Sequence, residues 1–139
     1  MKGKDLVILG AGESGVGAAI LAKKKGYRVW VSDRGTVSDR FRNEMTTNQI
    51  DWEENQHSMD RILQADEVVK SPGIPDHVEV IQKINEQGIP IISEIEFAAR
   101  YTQAKLIGIT GSNGKTTTTM LIHHLLKSAG IHVGIAGNI

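Results

Sequence analysis

The sequence predicts an α/β protein: a Rossmann-like parallel-sheet domain over residues 1–93, followed over residues 94–139 by the start of a P-loop ATPase-type α/β domain. Three observations carry that prediction. Apolar runs of strand length alternate with segments of helical period, the pattern of parallel strands joined by crossover helices. Two glycine-rich turns, at residues 10–15 and 111–114, each stand between a strand-like run and a helical segment. The strand–turn–helix pattern also stops and restarts near residue 105, so the chain holds one complete sheet domain and the opening of another.

In chain order, residues 6–9 form an apolar run ending at Gly10, after which Val16, Ala19 and Ile20 recur at helical spacing until Lys23, Lys24, Lys25 and Gly26 close the helix. The lysines suit the negative end of the helix dipole. A second strand, 28–32, ends at Asp33, and Ile50 with Trp52 marks a weaker third, while 36–60 shows no other clear element. Residues 66–70 carry Val68 and Val69 into Ser71-Pro72-Gly73, which stops the strand and bends the chain. Asp76 with Glu79 reads as a capping box for a helix through Gln87; Gly88 ends it, and 89–92 is another strand. Ser93 with Glu96 is a second capping box, opening a short helix to Arg100 that carries the chain out of this sheet. Beyond Lys105 come a strand at 106–109, a glycine-rich turn, a helix with Leu121, Ile122, Leu125 and Leu126 on one side, Gly130 and a strand at 132–135. So short a second segment cannot bury a core of its own, and the chain is expected to be the amino-terminal piece of a longer protein.

Composition removes several function classes. Sixteen basic and sixteen acidic side chains balance, so nothing general favours nucleic acid or an anionic membrane, and phosphate recognition has to be local. The absence of Cys excludes a disulfide framework, a thiolate nucleophile and a zinc knuckle. The five His residues lack metal-ligand spacing. No signal peptide or long apolar run is present, so a cytoplasmic protein without membrane insertion is expected.

Gly10-Ala11-Gly12-Glu13-Ser14-Gly15 matches G-x-G-x-x-G between strand and helix, with Asp33 at the end of the next strand. Glycines there permit a tight turn and close backbone approach, and a pyrophosphate can sit on the free N–H groups at the helix start. Asp33 would accept a hydrogen bond from a ribose or base. The same turn also serves simply to pack strand on helix, and NAD is one candidate ligand among several. The second signature, Thr110-Gly111-Ser112-Asn113-Gly114-Lys115-Thr116-Thr117, is a variant phosphate loop, since G-x-x-x-x-G-K-[ST] asks for glycine where Ile109 stands. Successive N–H groups can wrap terminal phosphates, Lys115 can neutralise them, and a hydroxyl of Thr116 or Thr117 can coordinate Mg²⁺. A lysine at a helix start opposes the dipole preference, and the threonine run is a poor helix former, so both suit function over stability. No Asp or Glu follows Lys115, which leaves no downstream carboxylate to hold Mg²⁺ or orient an attacking group.

The succession GAGESG, SDRG, SPGIP, SEIEF, GITGSNGKTTTT and GNI resembles the Mur ligases of peptidoglycan synthesis, from residue 3 to the last. Within them it is most similar to the D-glutamate-adding branch. The L-alanine-adding branch usually has a longer glycine run and a histidine in the ATP loop, where this chain has Asn113. The resemblance implies that the first domain holds the uridine diphosphate of a substrate, the second ATP, and a further domain the amino acid. Glu13, through its N–H, and Ser14 would meet the diphosphate, Asp33 and Arg34 the uracil and ribose, Gly73 the same pocket, and Asn138 the substrate. Gly111, Ser112, Asn113, Gly114, Lys115, Thr116 and Thr117 would hold ATP, with Lys115 and Thr116 catalytic and Thr116 on Mg²⁺.

The implied reaction joins D-glutamate to UDP-N-acetylmuramoyl-L-alanine with ATP and Mg²⁺, through an acyl phosphate. It belongs to cell-wall biogenesis, and with it to cell shape and division, in the bacterial cytoplasm. A monomer is expected, and a chain of this extent should bind nucleotide without turning over. The alternatives are an L-alanine-adding Mur ligase and a non-catalytic nucleotide-binding module. An NAD-dependent dehydrogenase leaves the second loop unexplained, and a kinase leaves the first domain unassigned.

Overall fold

The computed structural model describes residues 3–137 and divides into two compact units, Met1–Thr102 and Gln103–Ile139. The first opens with β1 (Asp5–Leu9), α1 (Glu13–Lys24) and β2 (Arg28–Ser32). It continues with α2 (Asp39–Thr47), β3 (Asp51–Glu53), α3 (Met59–Ile62), β4 (Glu67–Lys70) and α4 (Glu79–Glu86), and closes with β5 (Ile91–Ser93) and α5 (Glu94–Ala99). The strands form one five-stranded sheet in the order β3-β2-β1-β4-β5, and every pairing is parallel. The fold class is therefore α/β, as the alternation of runs predicted.

Side-chain alternation along the strands divides the core. Leu6 and Ile8 of β1 pack with Val16, Ala19 and Ala22 of α1, Met45 of α2 and Phe97 of α5. Val7 and Leu9 pack with Ile62 of α3 and Val80, Ile81 and Ile84 of α4. Neighbouring residues in a strand face opposite ways, so a strand apolar throughout is covered on both faces. The order also places β1 between β2 and β4, the point where the chain reverses direction across the sheet. Loops after β1 and β4 leave toward opposite faces there, and the crevice between them is where open parallel sheets bind ligands.

Three local expectations change. The stretch 36–60 contains α2 and the start of α3, which the pattern did not reveal, because in α2 only Phe41 and Met45 mark an inward face. Asp76 does not cap α4: the helix begins at Glu79 with Val78 as its uncapped N-cap residue, and the Asp76 carboxylate pairs with Lys70 Nζ at 3.0 Å. Ser93 does cap α5, accepting from Glu96 N–H at 3.1 Å. That helix remains with the first unit, which runs to Thr102 and beyond residue 93. Phe97 is fully buried against Tyr27 and Tyr101, with ring centroids 5.7 and 5.3 Å apart.

The second unit contains α6 (Lys115–Ser128). Gly114 precedes it in the left-handed region at φ 76°, and Gly130 follows at φ 77°. The strands expected at 106–109 and 132–135 do not form among the described residues. A strand is held by ladder bonds to a neighbour, and neither run has one here, so Leu106 stays 64% exposed and α6 buries none of its side chains.

The packing of Phe97 yields a test of where the first unit ends. Phe97→Ala should destabilise it by about 3–5 kcal/mol in denaturant unfolding, the usual result of emptying a buried aromatic site. A loss below about 1 kcal/mol would show that α5 is not part of that core.

Candidate functional site

The carboxyl ends of β1, β2 and β4 carry the first glycine-rich turn and its neighbours, and the glycines of the β1 loop, the first turn of α1 and the β4 loop fall into two kinds. Gly10 has φ +103°, and a Cβ on it would stand 2.9 Å from Ser71 Cβ. A Cβ on Gly15 would lie 2.0 Å from the carbonyl oxygen of Gly10, a backbone atom that cannot give way. These two are demanded by the protein's own packing. Gly12 and Gly73 have no atom within 4 Å of a built Cβ and no left-handed φ. Nothing internal requires glycine at those positions, and the space they leave faces outward, which is what close approach of a ligand to backbone needs.

Helix α1 starts directly behind Gly12, with no side chain capping it. The N–H groups of the first turn, 13–15, have no partner within the helix and point to the same side as the positive end of its dipole. The Glu13 side chain is 82% exposed and reaches Arg40 at 3.6 Å, so Glu13 contributes its N–H and leaves its carboxylate at the rim. The Ser14 hydroxyl donates to Glu94 Oε1 at 2.9 Å. Glu94, on α5, is only 7% exposed.

Asp33 does more than the sequence indicated. Its Oδ2 accepts from Ala11 N–H at 2.6 Å and its Oδ1 from Gly35 N–H at 2.7 Å. The carboxylate thereby ties the loop after β2 to the glycine-rich turn, and keeps lone pairs for a ligand, since two oxygens offer about four acceptor sites. Arg34 is exposed beside it. Across the crevice, Lys70 Nζ donates to the Ile74 carbonyl at 2.7 Å and pairs with Asp76, bracing the turn that presents Gly73. Glu13 and Ser14, which open α1, and Asp33, Arg34 and Gly73, on the loops after β2 and β4, thus all stand at the carboxyl edge of the sheet, while Asn138 lies outside the described residues.

In the second unit Gly111 has φ +152° and Gly114 φ +76°, and Lys115 is the first residue of α6, where its Nζ donates to the Gly111 carbonyl at 2.7 Å. The loop 111–114 with Lys115 forms a ring of backbone closed by a cation, and a cation at a helix start is otherwise unfavourable. The Thr116 and Thr117 side chains are exposed in the first turn. Their hydroxyls are hard oxygen donors of the kind that suits Mg²⁺ beside nucleotide phosphates. No cluster of three or more His, Cys, Asp or Glu able to hold a metal occurs among the described residues.

Sequence reasoning missed a polar cluster behind Asp33, built on the buried Ser32 and the half-buried Glu53 and His57. Glu53, at the end of β3, accepts from the Ser32 hydroxyl at 2.7 Å, from Ser58 N–H at 2.7 Å, from the Ser58 hydroxyl and from the Gln56 amide at 3.2 Å. His57 Nδ1 lies 2.7 Å from the Ser32 hydroxyl. Burial alone raises the Glu53 pKa, but the bonds from Ser32, Ser58 and Gln56 outweigh it and hold the carboxyl below its ordinary 4.5. Burial pushes His57 below its ordinary 6.5, and Arg34 adds to this, against the opposing pull of Glu53 and Asp33. The one available signal was Ser32, a polar residue closing an apolar strand.

Both parts of the chain match known domain families. Residues 4–93 match the family described as Mur ligase MurD-like, N-terminal domain, and residues 109–139 that described as Mur ligase middle domain. The UDP-N-acetylmuramoylalanine–D-glutamate ligase of Bacteroides fragilis is 60% identical over 98% of this chain, which spans 31% of that protein's length. The crystal structure of a murein peptide ligase from Psychrobacter arcticus aligns with a TM-score of 0.67 at 25% identity, over 92% of this chain and 27% of the other. A pseudomurein peptide ligase type C from Methanothermus fervidus gives a TM-score of 0.61 at 30% identity, over 96% and 29%.

The half-buried pair Glu53 and His57 sets an acid profile. His57 is depressed in the fold, so as pH falls below 6.5 the unfolded chain takes up the proton first and stability declines until His57 itself titrates. Glu53 is also depressed, so a second loss begins as pH falls below 4.5. Urea midpoints measured from about pH 2.5 to pH 8 should show both steps, and His57→Asn should remove the upper one. An upper step unchanged in that variant would contradict the assignment.

Proposed function

The chain belongs to the Mur ligase family, and from that premise we propose that it is the substrate-binding domain and ATP loop of the ligase that joins D-glutamate to UDP-N-acetylmuramoyl-L-alanine. The observation that carries this reading is 60% identity to a D-glutamate ligase across nearly the whole chain, through both glycine-rich turns. The geometry supports it independently: Gly12 and Gly73 leave backbone open for a ligand, the uncapped start of α1 suits a diphosphate, and Asp33 suits a ribose or base.

A carboxylate is a poor electrophile, and the proposed chemistry overcomes this in two steps. The alanyl carboxylate takes the γ-phosphoryl group of ATP and becomes an acyl phosphate, releasing ADP. The D-glutamate amine then attacks the acyl carbon, and the tetrahedral intermediate expels inorganic phosphate and loses a proton to leave the amide. Lys115 holds the phosphates and offsets charge that grows as the phosphoryl group transfers, while the 111–114 amides orient them. Mg²⁺, held by Thr116 and the phosphates, would supply the remaining charge neutralisation. ATP and a nucleotide-sugar substrate place the reaction in the bacterial cytoplasm. No helix of the described residues is long and apolar enough to cross a membrane.

Two measurements test the proposal. Calorimetric titration of this chain should show UDP binding more tightly than NAD, with UDP at 100 times its Kd stabilising the fold by about 2.7 kcal/mol; tighter NAD binding would contradict it. Residues 1–139 should release no ADP with the muramoyl substrate and D-glutamate, because no carboxylate follows Lys115. A longer active chain should lose ADP formation on Lys115→Ala. Activity indifferent to that change would remove the loop from the mechanism.

A further inference from the structure

Outside the glycine-rich turns, a network of one buried and several half-buried polar groups stands at the carboxyl ends of β2 and β3. Ser32 is 0% exposed, and its hydroxyl lies 2.7 Å from both Glu53 Oε1 and His57 Nδ1. A hydroxyl owns one proton. An ionised Glu53 can only accept, so the Ser32 proton goes to Glu53, and Ser32 Oγ has to accept from His57. The hydrogen of the neutral ring therefore sits on Nδ1, and the direction of each bond is set outward from the carboxylate.

The segment that carries this network is laid along the Asp33 turn. Asp33 N–H donates to the Glu53 carbonyl at 3.1 Å, Asn55 N–H to the Gly35 carbonyl at 3.1 Å and Gln56 N–H to the Asp33 carbonyl at 3.4 Å. The Thr36 hydroxyl adds a bond to Asn55 Oδ1 at 3.0 Å. Asn55 takes a left-handed φ of 60° in doing so, a conformation Asn tolerates better than most residues. Residues 53–58 thus splint 33–36, and Asp33 in turn holds Ala11 of the glycine-rich turn. Arg34, Asp33 and Glu53 are the charged groups acting on His57.

We propose that His57 is a positioning residue for the nucleoside half of the nucleotide site: its Nδ1–H bond to Ser32 locks the 53–58 splint and so determines where the Asp33 carboxylate stands. The proposal rests on reading the glycine-rich turn as a nucleotide site. The diphosphate half, at the start of α1, is seated by the packing of Gly15 on the Gly10 carbonyl and meets this network only through the Asp33–Ala11 bond.

The isosteric amides separate the two ring nitrogens. His57→Asn keeps a donor near the Nδ1 position, whereas His57→Gln reaches only to Nε2. Titration with uridine, UDP and inorganic pyrophosphate should find His57→Asn within twofold of the parent for all three. His57→Gln should bind uridine and UDP about tenfold more weakly, with pyrophosphate unchanged. Full affinity in His57→Gln, or equal loss for pyrophosphate, would overturn the proposal. Failure of the parent to bind any nucleoside would instead overturn the nucleotide reading, and two ligand-free readouts then decide for His57. Ring ¹⁵N shifts in the parent should report the Nδ1–H tautomer at neutral pH, and amide exchange at Ala11 and Gly35 should quicken in His57→Gln but not in His57→Asn. An Nε2–H tautomer, or exchange that does not respond, would overturn it.

Discussion

Helix α1 stands on the end of β1 only because residue 15 has no side chain. A methyl group there would lie 2.0 Å from the Gly10 carbonyl oxygen, so any other residue lifts the helix off the strand. That contact aims the first turn of α1 along the sheet edge, brings the β1 loop against Ser71 of the β4 loop, and leaves Ala11 N–H where Asp33 can accept from it. The crevice, the uncapped amides and the clamp from β2 all follow from it. Packing accounts for Gly10 and Gly15, whereas Gly12 and Gly73 have no internal neighbour within 4 Å of a built Cβ, and it is this open backbone that the proposed function gives to the ligand.

The two glycine-rich turns are built in different ways. The first is over-determined by tertiary packing: both faces of β1 are buried, Asp33 ties two loops together, and Lys70 braces a third. The second is held by its own segment, through left-handed glycines and the bond from Lys115 to Gly111. A loop with few buried contacts belongs to the low-stability end of a structure, where substrate-gated elements are commonly found. Its lysine opens α6, the end of a helix dipole that disfavours a cation.

Much of this was legible in the residues. β1, α1, β2 and β4 follow from strict periodicity with glycine stops, and Ser93 caps α5 as its spacing with Glu96 implies. What escaped was decided by tertiary partners. α2 shows one apolar pair, and its charges are met by Glu54 and by neighbours on the helix. Asp76 had two acceptable roles, and Lys70 selected the ion pair. The runs at 106–109 and 132–135 carry strand composition, but composition cannot supply a ladder partner. At the site, the glycine and aspartate positions were readable because their chemistry is local. The Ser32–Glu53–His57 cluster joins residues with no motif between them and becomes visible only when β2 and β3 are paired.

The central claim is that the edge formed by the β1, β2 and β4 loops receives a uridine nucleotide, with its diphosphate at the start of α1. Amide chemical-shift mapping of the ¹⁵N-labelled chain during UDP titration tests this most directly. The account predicts the largest changes at Gly12, Glu13 and Ser14, at Asp33 to Gly35 and at Gly73, saturating together. Changes centred on residues 111–117, or none at Gly12 to Ser14 while UDP binds, would contradict it.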